Sequence, residues 1–120
     1  MPPVAAIPYA LNVWVPTAVV VTGSTDTDGR SLAGFSQPNL GDDGQFTFLA
    51  KYPGGCGVFV RRPSGDIEPV ALKGDSVDGG SALECSTETW ISYGGNVAFL
   101  SIARSLSPGG KRSQGVFLVE

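Results

Sequence analysis

The chain contains no histidine, and this excludes several common catalytic centres. Ser-His-Asp and Cys-His catalysis both need an imidazole as the general base. A structural zinc site needs four thiolate or imidazole ligands, and the chain has only two cysteines. We therefore predict a protein that is not an enzyme and that carries no cofactor.

Acidic side chains are the next candidates for chemistry. Asp26, Asp28 and Gly29 form the alternating pattern of a calcium loop, but Arg30 and Leu32 stand where further oxygen ligands would be needed. A polar turn is the favoured interpretation, with Asp26 and Asp28 kept as weak calcium candidates. The spacing of the remaining acids selects no carboxylate pair, so it does not indicate a glycosidase.

Aromatic residues in polar surroundings are candidates for binding. Trp90 and Tyr93 lie in a polar, turn-rich stretch, where an aromatic ring could stack on a sugar or on a protein partner. Tyr52 is a third candidate. The alternative for Trp90 is a structural role, in which its ring fills a gap in the core.

The two cysteines, Cys56 and Cys85, allow one disulfide. Two buried, reduced thiols acting as small hydrophobic side chains are an equal alternative. The sequence leaves both possibilities open.

Charge and hydropathy restrict the partners. The net charge is −3, and the basic residues form only two pairs, Arg61-Arg62 and Lys111-Arg112, so nucleic-acid binding is not predicted. No apolar run approaches the roughly 18 residues of a membrane span. The first eight residues lack the basic start of a signal peptide and end in Pro8. Cytoplasm is therefore the default location, and secretion is the alternative if a signal has been removed.

The chain also nearly repeats itself. Residues 19–50 align without a gap on residues 70–101, 51 positions later, and the tripeptide Gly57-Val58-Phe59 recurs at Gly115-Val116-Phe117. The repeat predicts one domain, residues 1–120, built from two related units at approximately 18–68 and 69–119. The identical pairs within the gapless block are Val19/Val70, Gly23/Gly74, Gly29/Gly80, Leu32/Leu83, Gly44/Gly95, Phe48/Phe99 and Leu49/Leu100.

Short runs rich in Val, Phe and Thr, bounded by Gly, Pro, Asp and Ser, predict an all-β fold of short antiparallel strands. The two units are expected to form propeller-like blades or a compact sandwich or barrel. The predicted strands are Leu11–Val15, Thr17–Thr22, Gln45–Ala50, Gly57–Arg61, Pro69–Lys73, Asn96–Ser101 and Gly115–Val119, with weaker ones at Leu32–Ser36 and Ala82–Thr87.

The segment from Pro38 to Ala50 resembles a tandem repeat of the NxxGxxxAF type. Its features are the Asn39-Leu40-Gly41-Asp42-Asp43 turn and the following Gly44-Gln45-Phe46-Thr47-Phe48 strand, and the second unit keeps Gly95-Asn96-Val97-Ala98-Phe99. Such repeats look like β-propeller blades and usually occur in long secreted proteins without known catalysis. The resemblance covers roughly residues 18–119.

Two functions remain as expectations. The first is a non-enzymatic binding module that presents its turn loops to a carbohydrate or a protein. The second is a structural or assembly subunit, such as a coat, adhesin or appendage protein, that works by homo-oligomerisation. Two units leave sheet edges open, and open edges favour association between chains.

Overall fold

The computed structural model describes residues 16–77, 80–92 and 94–119, and all of its regular elements are β-strands. The all-β class predicted from the sequence is confirmed. Helices are absent from the described part of the chain, so no segment there forms an apolar helix of membrane-spanning length. The strands are β1 (Asn39–Leu40), β2 (Phe46–Tyr52), β3 (Gly55–Arg61), β4 (Ile67–Leu72), β5 (Ser76–Val77), β6 (Ser81–Leu83), β7 (Glu88–Ile91), β8 (Val97–Ser105) and β9 (Arg112–Val119).

The first sheet contains four antiparallel strands in the order β1-β2-β3-β4. A tight turn at Pro53-Gly54 joins β2 to β3, and Gly54 takes the positive φ of 88° that such a turn requires. Phe48 lies opposite Phe59, and their rings stack with centroids 5.9 Å apart. These rings form a core with Leu32, Ala50 and Ile67.

The second sheet is built around the long strand β8. Strands β6 and β7 pair with its two ends along one edge, and β9 pairs along the other edge. Phe99 lies opposite Phe117 with ring centroids 5.4 Å apart. The arrangement repeats the stacked phenylalanine pair of the first sheet.

A second core joins the two sheets. Val58 from β3 and Ala71 from β4 pack against Leu83, Val97 and Phe99 of the second sheet. Chain connectivity reinforces this contact, because β4 belongs to the first sheet and leads through a short turn into β5 of the second.

Three further contacts hold the sheets together. The Ile91 N–H donates to Asn39 Oδ1 over 3.1 Å. Gly41 lies so close to Ile91 that a Cβ at position 41 would come within 2.9 Å of Ile91 Cγ2. A disulfide joins Cys56 of β3 to Cys85, just after β6, which decides between the two alternatives that the sequence left open.

Most of the predicted strands are present with shifted ends, but two are wrong. Residues 17–22 form no strand, and Leu32–Ser36 forms only an isolated bridge from Ala33 to Lys51. The weak candidate Ala82–Thr87 is reduced to β6. The predicted strand Leu11–Val15 lies outside the described residues.

Candidate functional site

One face of the second sheet carries a cluster of apolar side chains and is open, with the exposed Glu88 beside the cluster, opposite Leu100. Residues directly opposite each other in antiparallel strands project to the same side of the sheet. Trp90 lies opposite Ala98, which lies opposite Leu118, and Leu100 lies opposite Val116. These five residues, Trp90, Ala98, Leu100, Val116 and Leu118, define what we call the open face.

The same face of the first sheet is covered. There Thr47 lies opposite Val60 and Leu49 lies opposite Val58, and Leu49 and Val58 pack into the core shared with the second sheet. Val58 and Val60 are both fully buried, whereas Val116 and Leu118 are 69% and 62% exposed. Hence the two sheets present similar apolar faces, and one of them has no cover among the described residues.

The outer edge of β9 is also free of strand pairing in the described part of the chain. The first sheet differs here, because β4 pairs with the outer edge of β3 from Gly57 to Arg61. An unpaired edge beside an exposed apolar face can accept another strand.

Trp90, a predicted binding residue, lies on β7 with 42% of its surface exposed. Besides its position on the open face, it lines a cleft of about 360 Å³ between the sheets. The cleft walls are mostly polar and include Ser36, Gln37, Asn39 and Glu88. An indole beside hydroxyl, amide and carboxylate groups is chemically suited to stacking on a sugar ring.

Tyr52 does not line that cleft. Its ring packs edge-on against Phe59 with centroids 6.3 Å apart, and the Arg30 guanidinium lies 5.4 Å from the ring centroid. These contacts account for Tyr52 as a half-buried structural residue. Tyr93 lies outside the described residues.

The two calcium candidates are paired with an arginine. Arg30 Nη1 donates to Asp26 Oδ2 over 2.8 Å and to Asp28 Oδ2 over 3.0 Å. Burial raises the pKa of the Asp26 carboxyl, but hydrogen bonds from the backbone N–H groups of Arg30 and Asp28 and from the Arg30 side chain outweigh burial and lower it overall. In the described part of the chain, no three His, Cys, Asp or Glu side chains form a group that would hold a metal ion.

Glu84 is the centre of an ion-pair cluster beside the turn of the β8–β9 hairpin, where Arg104 lies opposite Arg112. Its carboxylate accepts hydrogen bonds from Arg112 Nη2 over 2.8 Å and from Arg104 Nε over 2.9 Å. These bonds, from Arg112 first and then Arg104, lower the pKa of Glu84. The cluster is partly exposed, and we assign it the structural role of tying β9 to the sheet.

The fold and the open face together define a class, an all-β protein of two antiparallel sheets with one apolar face uncovered. Comparison with protein-family models, curated proteins and solved structures finds no match. The site must therefore be interpreted from its own geometry.

Sequence reasoning did not select Val116 and Leu118 as functional residues. The signal was present in the repeated Gly-Val-Phe tripeptide, which shows that β3 and β9 are locally alike. Finding the site required knowing that only one of the two strands is covered.

Proposed function

We propose that this protein is a non-enzymatic structural subunit that works by assembling with protein through its open face. The observation that carries the proposal is the exposure of Val116 and Leu118 on a strand whose outer edge is unpaired in the described residues. Contiguous exposed apolar surface is unfavourable in water and is typical of protein interfaces.

Introducing positive charge on the open face tests the proposal. Light scattering at micromolar concentration should give the wild type a mass above that of one chain. The double variant Val116→Lys/Leu118→Lys should be a monomer with an unchanged circular dichroism spectrum, because two buried ammonium groups would oppose association.

Leu106→Lys is the matched control. Leu106 is 68% exposed and lies in the β8–β9 turn, off the open face. The control should associate like the wild type. A wild type that is strictly monomeric at micromolar concentration would remove the assembly function.

Carbohydrate binding at the Trp90 cleft is a second candidate. It is supported by the exposed indole beside the polar groups of Ser36, Asn39 and Glu88. A glycan array should then show binding that is lost in both Trp90→Ala and Gln37→Ala. Gln37 lines the cleft and is not part of the open face, so this pair separates sugar binding from assembly. An array without a hit would count against this function.

A further inference from the structure

We infer that the open face binds a second copy of this chain, head to tail, in the way that the first sheet binds the second within one chain. The inference rests on the proposed assembly function and names its partner and register. The second sheet of one copy would dock on the first sheet of the next. The β9 edge would then pair with residues 16–21 of that next copy, a segment we call segment 16–21.

The contact between the two sheets within one chain serves as the template for the contact between copies, because a set of backbone hydrogen bonds recurs 51 positions apart in the two sheets. Gly23 N–H donates to Leu32 O over 2.8 Å, and Gly74 N–H donates to Leu83 O over 2.8 Å. Four further pairs of backbone hydrogen bonds correspond in the same way. The Leu32 N–H donates to Ser24 O as Leu83 N–H does to Asp75 O, and the Ser36 N–H donates to Leu49 O as Thr87 N–H does to Leu100 O. The Gly41 N–H donates to Gln45 O as Ser92 N–H does to Asn96 O, and the Ser24 N–H donates to Val21 O as Asp75 N–H does to Leu72 O.

Strand pairing follows the same correspondence. Leu40 lies opposite Phe46 in the first sheet, and Ile91 lies opposite Val97 in the second. In the hairpins, β3 corresponds to β9 at an offset of 58 because the β8–β9 connection is longer: Phe46 lies opposite Arg61, and Val97 opposite Val119. Strands β1, β2 and β3 of the first sheet therefore have identified counterparts in β7, β8 and β9 of the second.

Segment 16–21 is the counterpart of β4. Within the chain, β4 pairs with the outer edge of β3, with Gly57 opposite Leu72 and Val60 opposite Glu68. Shifted to the counterpart positions, this register places Gly115 opposite Val21 and Leu118 opposite Thr17. Segment 16–21 has no strand pairing among the described residues, so it is available for this role.

The side chains fit the same arrangement. Inside the chain, Leu49 and Val58 of the first sheet pack on Val97 and Phe99 of the second. The counterparts of Leu49 and Val58 are Leu100 and Val116, on the open face. The counterparts of Val97 and Phe99 are Phe46 and Phe48, which line an apolar pocket of about 200 Å³ with Val19, Val20 and Phe35. We therefore expect the Val116 side chain of another copy to pack in this apolar pocket.

The distribution of exposed apolar side chains supports the arrangement independently of the pairing. Eight large hydrophobic residues of the described chain are exposed, and six fall on the two surfaces that the proposed contact brings together. Val19, Val21 and Leu40 lie on the first-sheet side, and Trp90, Val116 and Leu118 lie on the second-sheet side. The two exceptions are Leu106 and Val119, which lies opposite Val97.

The contact joins two different surfaces of the same chain, so it is heterologous. After one contact the pair keeps one free surface of each kind, one on each copy, so the assembly grows into a ring if the rotation closes or into a filament if it does not. The contact differs in this from a two-fold dimer, in which the open face of one copy would cover that of the other.

Cysteine cross-linking tests the register. Two full-length single-substitution variants, Leu118→Cys and Thr17→Cys, are mixed and mildly oxidised. Directly opposite residues of an antiparallel pair have Cβ atoms roughly 4.5–5.5 Å apart, close to disulfide range. We expect a covalent dimer that forms only in the mixture and is reversed by reductant.

In the matched control, the Leu118→Cys variant is mixed, in place of the Thr17→Cys variant, with a Thr22→Cys variant. This thiol lies five residues along the chain, roughly 16 Å away in an extended strand, and should give no more dimer than unmixed samples. Equal cross-linking by both would overturn the register.

Two further outcomes separate the inference from the proposed function. If the wild type self-associates but the mixed Leu118→Cys and Thr17→Cys variants do not cross-link, the assembly function stands and the head-to-tail geometry is overturned. In the double variant Thr17→Cys/Leu118→Cys, loss of both thiols at monomer mass would show that the chain closes on itself, which overturns the inference. A monomeric wild type would remove both.

Discussion

Val58 and Val116 stand at matching positions of the two sheets, opposite Leu49 and Leu100 respectively, yet Val58 is completely buried and Val116 is 69% exposed. Both belong to a Gly-Val-Phe tripeptide. The difference arises from the neighbours of each strand, because β3 is covered by the second sheet and paired with β4, whereas β9 has neither in the described chain. Phe59 and Phe117 follow the same trend, since Phe59 is buried and Phe117 is half-buried.

Glycine substitutions should distinguish the covered strand from the open one. An alanine Cβ at Gly57 would lie 2.8 Å from the Ala71 carbonyl oxygen, a backbone atom that cannot turn away. We expect Gly57→Ala to lower the free energy of unfolding by about 1–3 kcal/mol.

Gly115→Ala is the matched variant. The atoms nearest to its Cβ are those of the Phe117 ring, at 3.4 Å, so the folded chain accommodates the methyl group. The free energy of unfolding should therefore change by about 0.5 kcal/mol or less. If the head-to-tail contact forms, Gly115→Ala should weaken self-association, because Val21 of the next copy lies opposite. Urea unfolding and light scattering measure the two effects, and equal destabilisation by both variants would contradict the distinction.

The Cys56–Cys85 disulfide should contribute strongly to stability. It links positions 29 residues apart and connects the two sheets. The double variant Cys56→Ala/Cys85→Ala should unfold with about 3 kcal/mol less free energy than the wild type. Reductant should destabilise the wild type and leave the variant unchanged. A wild type whose unfolding midpoint is the same with and without reductant would show that the bond adds nothing.

Asp26 should make stability depend on pH in the acid range. Its buried carboxylate accepts hydrogen bonds from the N–H groups of Asp28 and Arg30 and from the Arg30 guanidinium, and its pKa is lowered. A lowered folded-state pKa adds stability that is fully present above the unfolded-state pKa of about 4 and is lost as pH falls through the folded-state value.

Asp26→Asn tests this dependence, with Asp28→Asn as the exposed control. The stability difference between wild type and Asp26→Asn should be largest near neutral pH and should shrink below about pH 4. The control should show a smaller difference at every pH, because the Asp28 side chain is 60% exposed. A difference that grows as the pH falls would have the wrong sign for a lowered pKa.

Thr47 gives a prediction of increased stability. Its hydroxyl is buried and has no hydrogen-bond partner among the described residues. Thr47→Val keeps the shape and removes the unpaired polar group, so we expect a gain of about 1 kcal/mol in the free energy of unfolding. Thr89→Val is the control, because the Thr89 hydroxyl donates to Ala98 O over 3.3 Å and its removal should not stabilise.

Local patterns predicted the long strands well. The runs that became β2, β3, β4, β8 and β9 each combine apolar, β-branched or aromatic residues with flanking turn residues, a signal carried by neighbouring positions. The wrong strand at residues 17–22 has the same composition, but a strand needs a partner edge, and none lies beside it in the described chain. Trp90 was a candidate from the sequence, whereas the residues that lie beside it on the open face, Ala98 and Leu118, are brought there by pairing between β7, β8 and β9.

The amino-acid sequence by itself determined the all-β class, the placement of the glycine turns and the absence of imidazole chemistry, because these depend on local conformational preference and residue type. The tertiary structure alone decided which of the two strands that share the Gly-Val-Phe tripeptide is interior and which is surface. Burial is set by what packs on a strand from elsewhere in the chain. Here β4 and the second sheet cover Val58, while the open face around Val116 is left for a partner.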